Sequence, residues 1–190
     1  AAWRFGFEGG TNQINIRNFD NIKGVEGKPQ NFDRLENNSG FYFLSQKLNF
    51  KEKLFTDVSV SLNANSYEWE RIFPTIDQGK TKFKNQLLPN FGVTYLITNG
   101  FSVRAKIGKG NSAPTNEEIR SSTQEFNFNL RPEFGWNKEI GIRKQFGKAL
   151  FAEVSYFDFR LKDAIVRRQN ESGQEFFVNQ GNTIQKGLEV

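Results

Sequence analysis

Hydrophobic and polar positions alternate with period two along most of the chain. From Leu54 to Ala64 the even positions are Leu54, Thr56, Val58, Val60, Leu62 and Ala64, with Asp57, Ser59, Ser61 and Asn63 between them. Phe91, Val93, Tyr95 and Ile97 alternate with Gly92, Thr94 and Leu96; after a turn, Phe101, Val103, Ala105 and Ile107 alternate with Ser102, Arg104 and Lys106. Trp136, Lys138, Ile140 and Ile142 share a face, as do Leu150, Ala152, Val154 and Tyr156. Each run predicts a β-strand with one apolar face. About eight strands are expected, over 3–17, 39–50, 54–66, 83–97, 101–109, 134–146, 149–166 and 176–190. In the first, Trp3, Phe5 and Phe7 are odd whereas Ile14 and Ile16 are even, so a bulge at Gly9-Gly10 is expected to shift the phase.

Several of these runs exceed the five or six residues usual in soluble sheets. Lengths of about 9–11 residues suit tilted strands that cross a bilayer. The connections alternate too. Lys51-Glu52-Lys53, Thr98-Asn99-Gly100 and Phe146-Gly147-Lys148 are tight, whereas 18–38, 67–82, 110–133 and 167–175 are long and polar. Short turns at one end and long loops at the other is the asymmetry of an outer-membrane barrel. Trp3, Tyr42, Tyr67, Trp69, Phe73 and Trp136 lie near strand ends, where interfacial aromatic girdles form. A soluble β-sandwich would also alternate; strand length and loop asymmetry favour the membrane barrel.

Composition narrows the chemistry. The 190 residues include 26 Lys and Arg against 21 Asp and Glu, and no His, Cys or Met. Disulfides, thiolate or imidazole metal sites and Ser-His or Cys-His nucleophiles are excluded, and neither a metal nor a cofactor is expected. Mean hydropathy is −0.64, and no apolar run approaches the ~20 residues of a membrane helix. The opening Ala1-Ala2-Trp3-Arg4-Phe5 does not read as a signal peptide. Cations are scattered, Arg167-Arg168 being the one tight pair late in the chain, so no nucleic-acid surface is expected. Gly108-Lys109-Gly110-Asn111-Ser112 lacks the phosphate-loop spacing, and Glu117-Glu118 has no partner for acid–base work. The inward charges, Arg4, Glu8, Asp57, Arg104, Lys106, Glu139, Arg143, Glu153 and Glu189, are mixed in sign and read as the lining of a polar lumen.

Five segments of the second half resemble, in order, motifs of the TonB-dependent outer-membrane receptors. They are Ser112-Ala113-Pro114-Thr115-Asn116-Glu117-Glu118-Ile119, then Asn127-Phe128-Asn129-Leu130-Arg131-Pro132-Glu133, then Glu139-Ile140-Gly141-Ile142-Arg143. Tyr156-Phe157-Asp158-Phe159-Arg160-Leu161-Lys162-Asp163-Ala164-Ile165-Val166 follows, and then Val178-Asn179-Gln180-Gly181-Asn182 with Lys186-Gly187-Leu188-Glu189-Val190. Phe128 departs from the family's usual Pro, and Gln180 from its Ala. Pro114, Leu130, Pro132, Glu133, Glu139, Gly141, Asn179, Gly181, Gly187 and Glu189 carry the resemblance, and read as barrel architecture. Gly141, Gly181 and Gly187 are expected to face the lumen and leave room there.

The resemblance implies an all-β, antiparallel up-and-down meander, an arc of a barrel of about 22 strands. Residues 1–190 would be a partial barrel domain, without the plug domain, the partner-contacting segment and the final strands. The alternative architecture is a complete eight-stranded barrel, whose first and last strands would pair. The implied protein does no covalent chemistry. It would sit in outer-membrane lipid and import a scarce nutrient, foremost a ferric siderophore, with energy from the TonB complex. A starch-utilisation-type glycan importer and a passive porin are the alternatives. Tyr67, Trp69, Arg71, Phe73 and Arg120 are the candidate ligand contacts, because rings and guanidinium groups suit an anionic or aromatic chelate. Haem is disfavoured: haem receptors of the family carry a coordinating His between the matching motifs, and Thr115 to Phe128 has none.

Overall fold

The computed structural model describes all of residues 1–190. Eight strands form an antiparallel meander: β1 (Ala2–Ile22), β2 (Val25–Phe50), β3 (Leu54–Phe73), β5 (Gln86–Thr98), β6 (Phe101–Ser112), β7 (Glu133–Phe146), β8 (Leu150–Lys162) and β11 (Asn182–Glu189). A short strand β4 (Asp77–Lys82) pairs with the far end of β3, and β9 (Ile165–Gln169) with β10 (Glu175–Asn179) makes a separate hairpin. The only helix is one turn, α1 (Asn116–Ile119), whose Thr115 and Glu118 form a capping box. β1 and β11 are not paired with each other, so the sheet is an open arc and not a closed eight-stranded barrel.

Strand register assigns the faces. Phe5 pairs with Leu44, Leu44 with Val60, Val58 with Phe91, Phe91 with Ile107, Val103 with Ile142 and Ile140 with Tyr156. With Tyr156 opposite Leu188 on β11, one apolar face therefore spans all eight strands. Phe5 and Phe7 are 84% and 80% exposed on it, and a patch that size is stable only against another apolar medium. Lipid supplies that medium. No helix is long and apolar enough to cross a membrane; the strands are the crossing elements, each interior strand of the meander being laddered to a neighbour on both sides. The opposite face carries the mixed charges, as in the fan in which Arg104 reaches Glu139 at 2.7 Å and Glu153 at 2.5 Å.

Three expectations need correction. First, β1 has no bulge at Gly9-Gly10: its pairing with β2 is unbroken from Ala2–Lys47 to Asn18–Asn31. The odd-to-even change is instead a change of environment. Phe5 and Phe7 point outward to lipid, whereas Ile14, paired with Leu35, points inward to a protein core higher up. Second, segment 18–38 is not a loop. β1 and β2 continue as one hairpin closed at Lys23-Gly24, both at positive φ, with Asn21 Oδ1 accepting from Gly24 N at 2.7 Å. Segment 67–82 is likewise the β3–β4 hairpin. Third, the runs 149–166 and 176–190 are each broken, at Asp163 (φ 55°) and Gly181 (φ 93°), which swings β9–β10 out of the main sheet.

The 113–132 segment, read as part of a long loop, does not project away. It folds back inside the arc, and its Ile119 and Leu130 are buried with Leu35, Tyr67 and Phe83. This cluster is the principal apolar core of the chain, and it lies inside the wall, above the lipid-facing stretch.

Candidate functional site

Lumen-facing residues of β2 and β3 alternate as Asp33, Leu35 and Asn37 beside Arg71, Trp69 and Tyr67. The returning 113–132 segment caps this strip. Arg120 and Phe126, brought together by an isolated bridge, place a guanidinium and a ring against it.

Asp33 is the electrostatic centre. One carboxylate oxygen accepts from Arg71 Nε at 2.9 Å and the other from Arg120 Nε at 2.7 Å. Its side chain is fully buried, and that of Arg120 is 2% exposed. Arg71 also donates to the carbonyl of Gln124 at 2.5 Å, and Arg120 to that of Ser121 at 2.9 Å. Both guanidinium groups lie over the Phe126 ring, at 5.5 and 5.6 Å from its centroid. Two cations share one anion, so the cluster keeps a net positive charge next to the lumen.

An aromatic shelf continues from it. Trp69 stacks on Phe126 (4.6 Å between centroids) and on Phe128 (5.5 Å), and all three are half-buried with an accessible side. Tyr67 is buried behind the shelf and its hydroxyl donates to the Pro114 carbonyl. Burial pushes the Tyr67 phenol up to about 12; an Asn37 hydrogen bond works against this, and the charge of Glu118 adds to it.

Sequence reasoning named five contact residues, and the structure divides them. Tyr67, Trp69, Arg71 and Arg120 converge on this strip, but as partners of the protein itself: Tyr67 and Arg120 are buried, and Arg71 is held at both ends. Phe73 leaves the group. A register shift after Phe32 turns it to the other face, with its ring 5.8 Å from Phe32. Trp3, Tyr42 and Trp136 face outward as girdle residues, whereas Tyr67 and Trp69 face inward and do not. Asp33 was missed. A single carboxylate in a polar stretch carries no periodic signal, and its Arg120 partner is 87 positions away.

The motif residues brace this arrangement. Pro114 is fully buried under Tyr67, and Leu130 belongs to the core. Glu133 accepts from Ile165 N at 2.5 Å. Asn179 accepts from Arg131 N at 2.7 Å and donates to the carbonyls of Arg131 and Asp163, at 2.8 and 2.7 Å. That ties the residue before Pro132 to the β9–β10 hairpin. Glu139 anchors Arg104, and a side chain at Gly141 would meet the Arg104 guanidinium at 3.2 Å. Gly187 lies under the Phe157 ring, where a Cβ would come within 2.8 Å of it, and Glu189 pairs with Ser155 on the lumenal side. Gly181 differs from expectation: it serves a positive-φ turn in open space and makes no close approach.

The profile of the TonB dependent receptor-like β-barrel matches residues 2–190. The chain belongs to this family. Its members are transport receptors of the bacterial outer membrane, and the lipid-facing arc is the part of the family's barrel that this chain supplies. No curated protein matches the chain in sequence. Among solved structures, the ferric-catecholate import receptor Fiu from K12 E. coli is 12% identical with a TM-score of 0.63, covering 97% of this chain and 31% of its own. The copper transporter OprC is 16% identical with a TM-score of 0.67, covering 98% and 32%. The siderophore receptor PirA from Pseudomonas aeruginosa is 16% identical with a TM-score of 0.55, covering 83% and 39%. At these identities the likeness establishes the fold. The chain spans about a third of the length of these structures.

Proposed function

We infer that the intact TonB-dependent receptor containing this arc imports a scarce nutrient carried as an anionic metal chelate, a ferric siderophore being the foremost case. The observation that carries the reading is the shelf of Trp69, Phe126 and Phe128 beside a net-positive Arg71–Asp33–Arg120 cluster. Rings stack on catecholate or hydroxamate surfaces, and the net positive charge of the cluster behind them favours an anion on the shelf. The siderophore receptors among the structural neighbours support the same cargo class. Movement through the barrel would be driven by the TonB complex, acting on a plug domain outside these 190 residues; the chain alone would bind weakly and transport nothing.

The stacked rings also favour a second reading, a glycan importer, because sugars lie flat on parallel aromatic faces. Titration calorimetry of the full-length receptor with ferric siderophores, oligosaccharides and haem separates the readings. Tight siderophore binding that weakens about tenfold (~1.4 kcal/mol) in Trp69→Ala is expected. Binding to oligosaccharide alone reverses the order, and tight haem binding overturns both.

A further inference from the structure

One group of charges is not lumenal. Register places Lys138 opposite Asp158 and Asp158 opposite Lys186, with Lys109 opposite Trp136 and Trp136 opposite Arg160. These are the same outward positions that carry Ile140, Ile142, Val154, Tyr156 and Leu188 nearer the turns. The charged side chains therefore project from the lipid face of β6, β7, β8 and β11.

Their height is informative. A strand tilted by about 40° gains about 2.5 Å of height per residue, which puts Lys109, Lys138 and Asp158 about 20 Å above the Phe101, Phe146 and Leu150 ends. Arg160 stands about 25 Å up, at the outer edge of an apolar band about 25 Å tall. This is headgroup level in the outer leaflet, where cations are tolerated that would be costly at mid-bilayer. At the same level β2, β3 and β5 present Tyr42, Leu62 and Pro89, all neutral. Along this arc the charge is thus a localised patch, confined to β6, β7, β8 and β11.

The patch is also organised. Arg160 grips Asp158 through two hydrogen bonds, 2.9 and 3.1 Å, and Lys186 lies 3.4 Å from the same carboxylate. Asp158 is 14% exposed, while Arg160 and Lys186 are about half exposed, so the anion is spent internally and the cations keep free donors. Lys109 sits 5.0 Å from the centre of the Phe134 ring, and Lys138 is exposed. Four cations against one carboxylate, held on rigid strands at headgroup depth, call for an anion with several oxygens.

The geometry points to a binding site for the phosphate-bearing headgroup of an outer-leaflet lipid on the outward face of β6, β7, β8 and β11, with Arg160, Lys138 and Lys186 as phosphate ligands and Asp158 as the group that orients them. The test uses the full-length receptor, delipidated in neutral detergent, with lipid A (a doubly phosphorylated glycolipid) and its dephosphorylated form as probes. Native mass spectrometry and thermal unfolding read the binding. Lipid A is expected to bind at least tenfold tighter than the dephosphorylated form. The Lys138→Gln, Arg160→Gln, Lys186→Gln triple variant is expected to lose that preference. The Lys138→Arg, Arg160→Lys, Lys186→Arg variant should retain it, and so should Lys23→Gln with Lys28→Gln at the far hairpin tip. Equal binding of the two probes to the wild-type receptor overturns the proposal without recourse to any variant. So does undiminished binding by the folded Gln variant, or displacement of lipid A by inorganic phosphate at equal concentration, which would mark a generic anion site.

Discussion

Replacing Asp33 by Asn is the most direct perturbation of the lumenal strip. The substitution keeps the shape and removes the only negative charge shared by Arg71 and Arg120. Removing one partner of a buried ion pair costs ~3–5 kcal/mol, since a charge is left without compensation away from water. Arg120, 2% exposed, would bear most of that cost, while Arg71 at 20% can recover some hydration. The loss falls on the docking of the 113–132 segment and not on the barrel, whose strands are held by their own ladders. A loss of that size raises the open population of the segment by ~150- to 5,000-fold. Hydrogen exchange on the full-length receptor in detergent should show it at Ile119 and Asn127, whose amides are respectively bonded to Thr115 and Ile119 carbonyls. Exchange in β7 and β8 should stay slow. Pairing Asp33→Asn with Arg120→Met should recover much of the protection, because a well-packed apolar replacement of an ion pair is often neutral. Unchanged exchange at Ile119 and Asn127 in the single variant would refute the view that Asp33 holds the segment down.

Three further outcomes can be checked. The Tyr67 phenol, raised in the folded state above its usual value near 10, contributes stability that is whole below pH 10 and is lost as pH climbs towards about 12. Absorbance at 295 nm should show one late-titrating tyrosine, with proteolysis near Pro114 rising over the same interval, and Tyr67→Phe should abolish that late component. Asn179→Ala removes three hydrogen bonds that join Arg131 and Asp163, and should cost about 2–3 kcal/mol of local stability, read as faster exchange across β9–β10. Gly141→Val pushes a side chain into the Arg104 guanidinium and Ser155, and should destabilise the barrel by about 1–3 kcal/mol in urea unfolding, with Gly110→Ala, which has open space, near neutral.

The membrane strands were legible because each has a strict two-residue period with lipid on one side, and the paired registers of β3, β5, β6, β7 and β8 follow that pattern. The extracellular part was not. Ile14, Ile16 and Leu35 lie on the inner face, so a rule that expects one apolar side reads a bulge or a loop where the β1–β2 pairing continues, its first register shift coming only after Asn18. Trp69, Arg71 and Arg120 could be picked out by side-chain chemistry alone. Their mutual contacts could not, since Arg120 reaches Asp33 only after the 113–132 segment has doubled back, and no local spacing encodes that return. Phe73 shows the opposite failure: it continues the Tyr67, Trp69, Arg71 spacing in sequence, and one irregularity in the strand sends it to the other side.

The change of apolar side in β1 and β2 occurs at a band of missing side chains. Gly9 pairs with Gly40, Gly10 with Ser39, and Gly40 with Ala64 on the next strand. A Cβ at Gly10 would meet nothing within 4 Å, and one at Gly9 would meet only the Ser39 carbonyl. At that level the wall of β1 and β2 carries few and small side chains. Glycine weakens a strand where it sits, and the three here lie between a lower half set in lipid and an upper half packed on the folded-back segment. Gly9, Gly10 and Gly40 therefore mark the level at which β1 and β2 hand their apolar residues from the lipid side to the core side, a step made without any break in pairing.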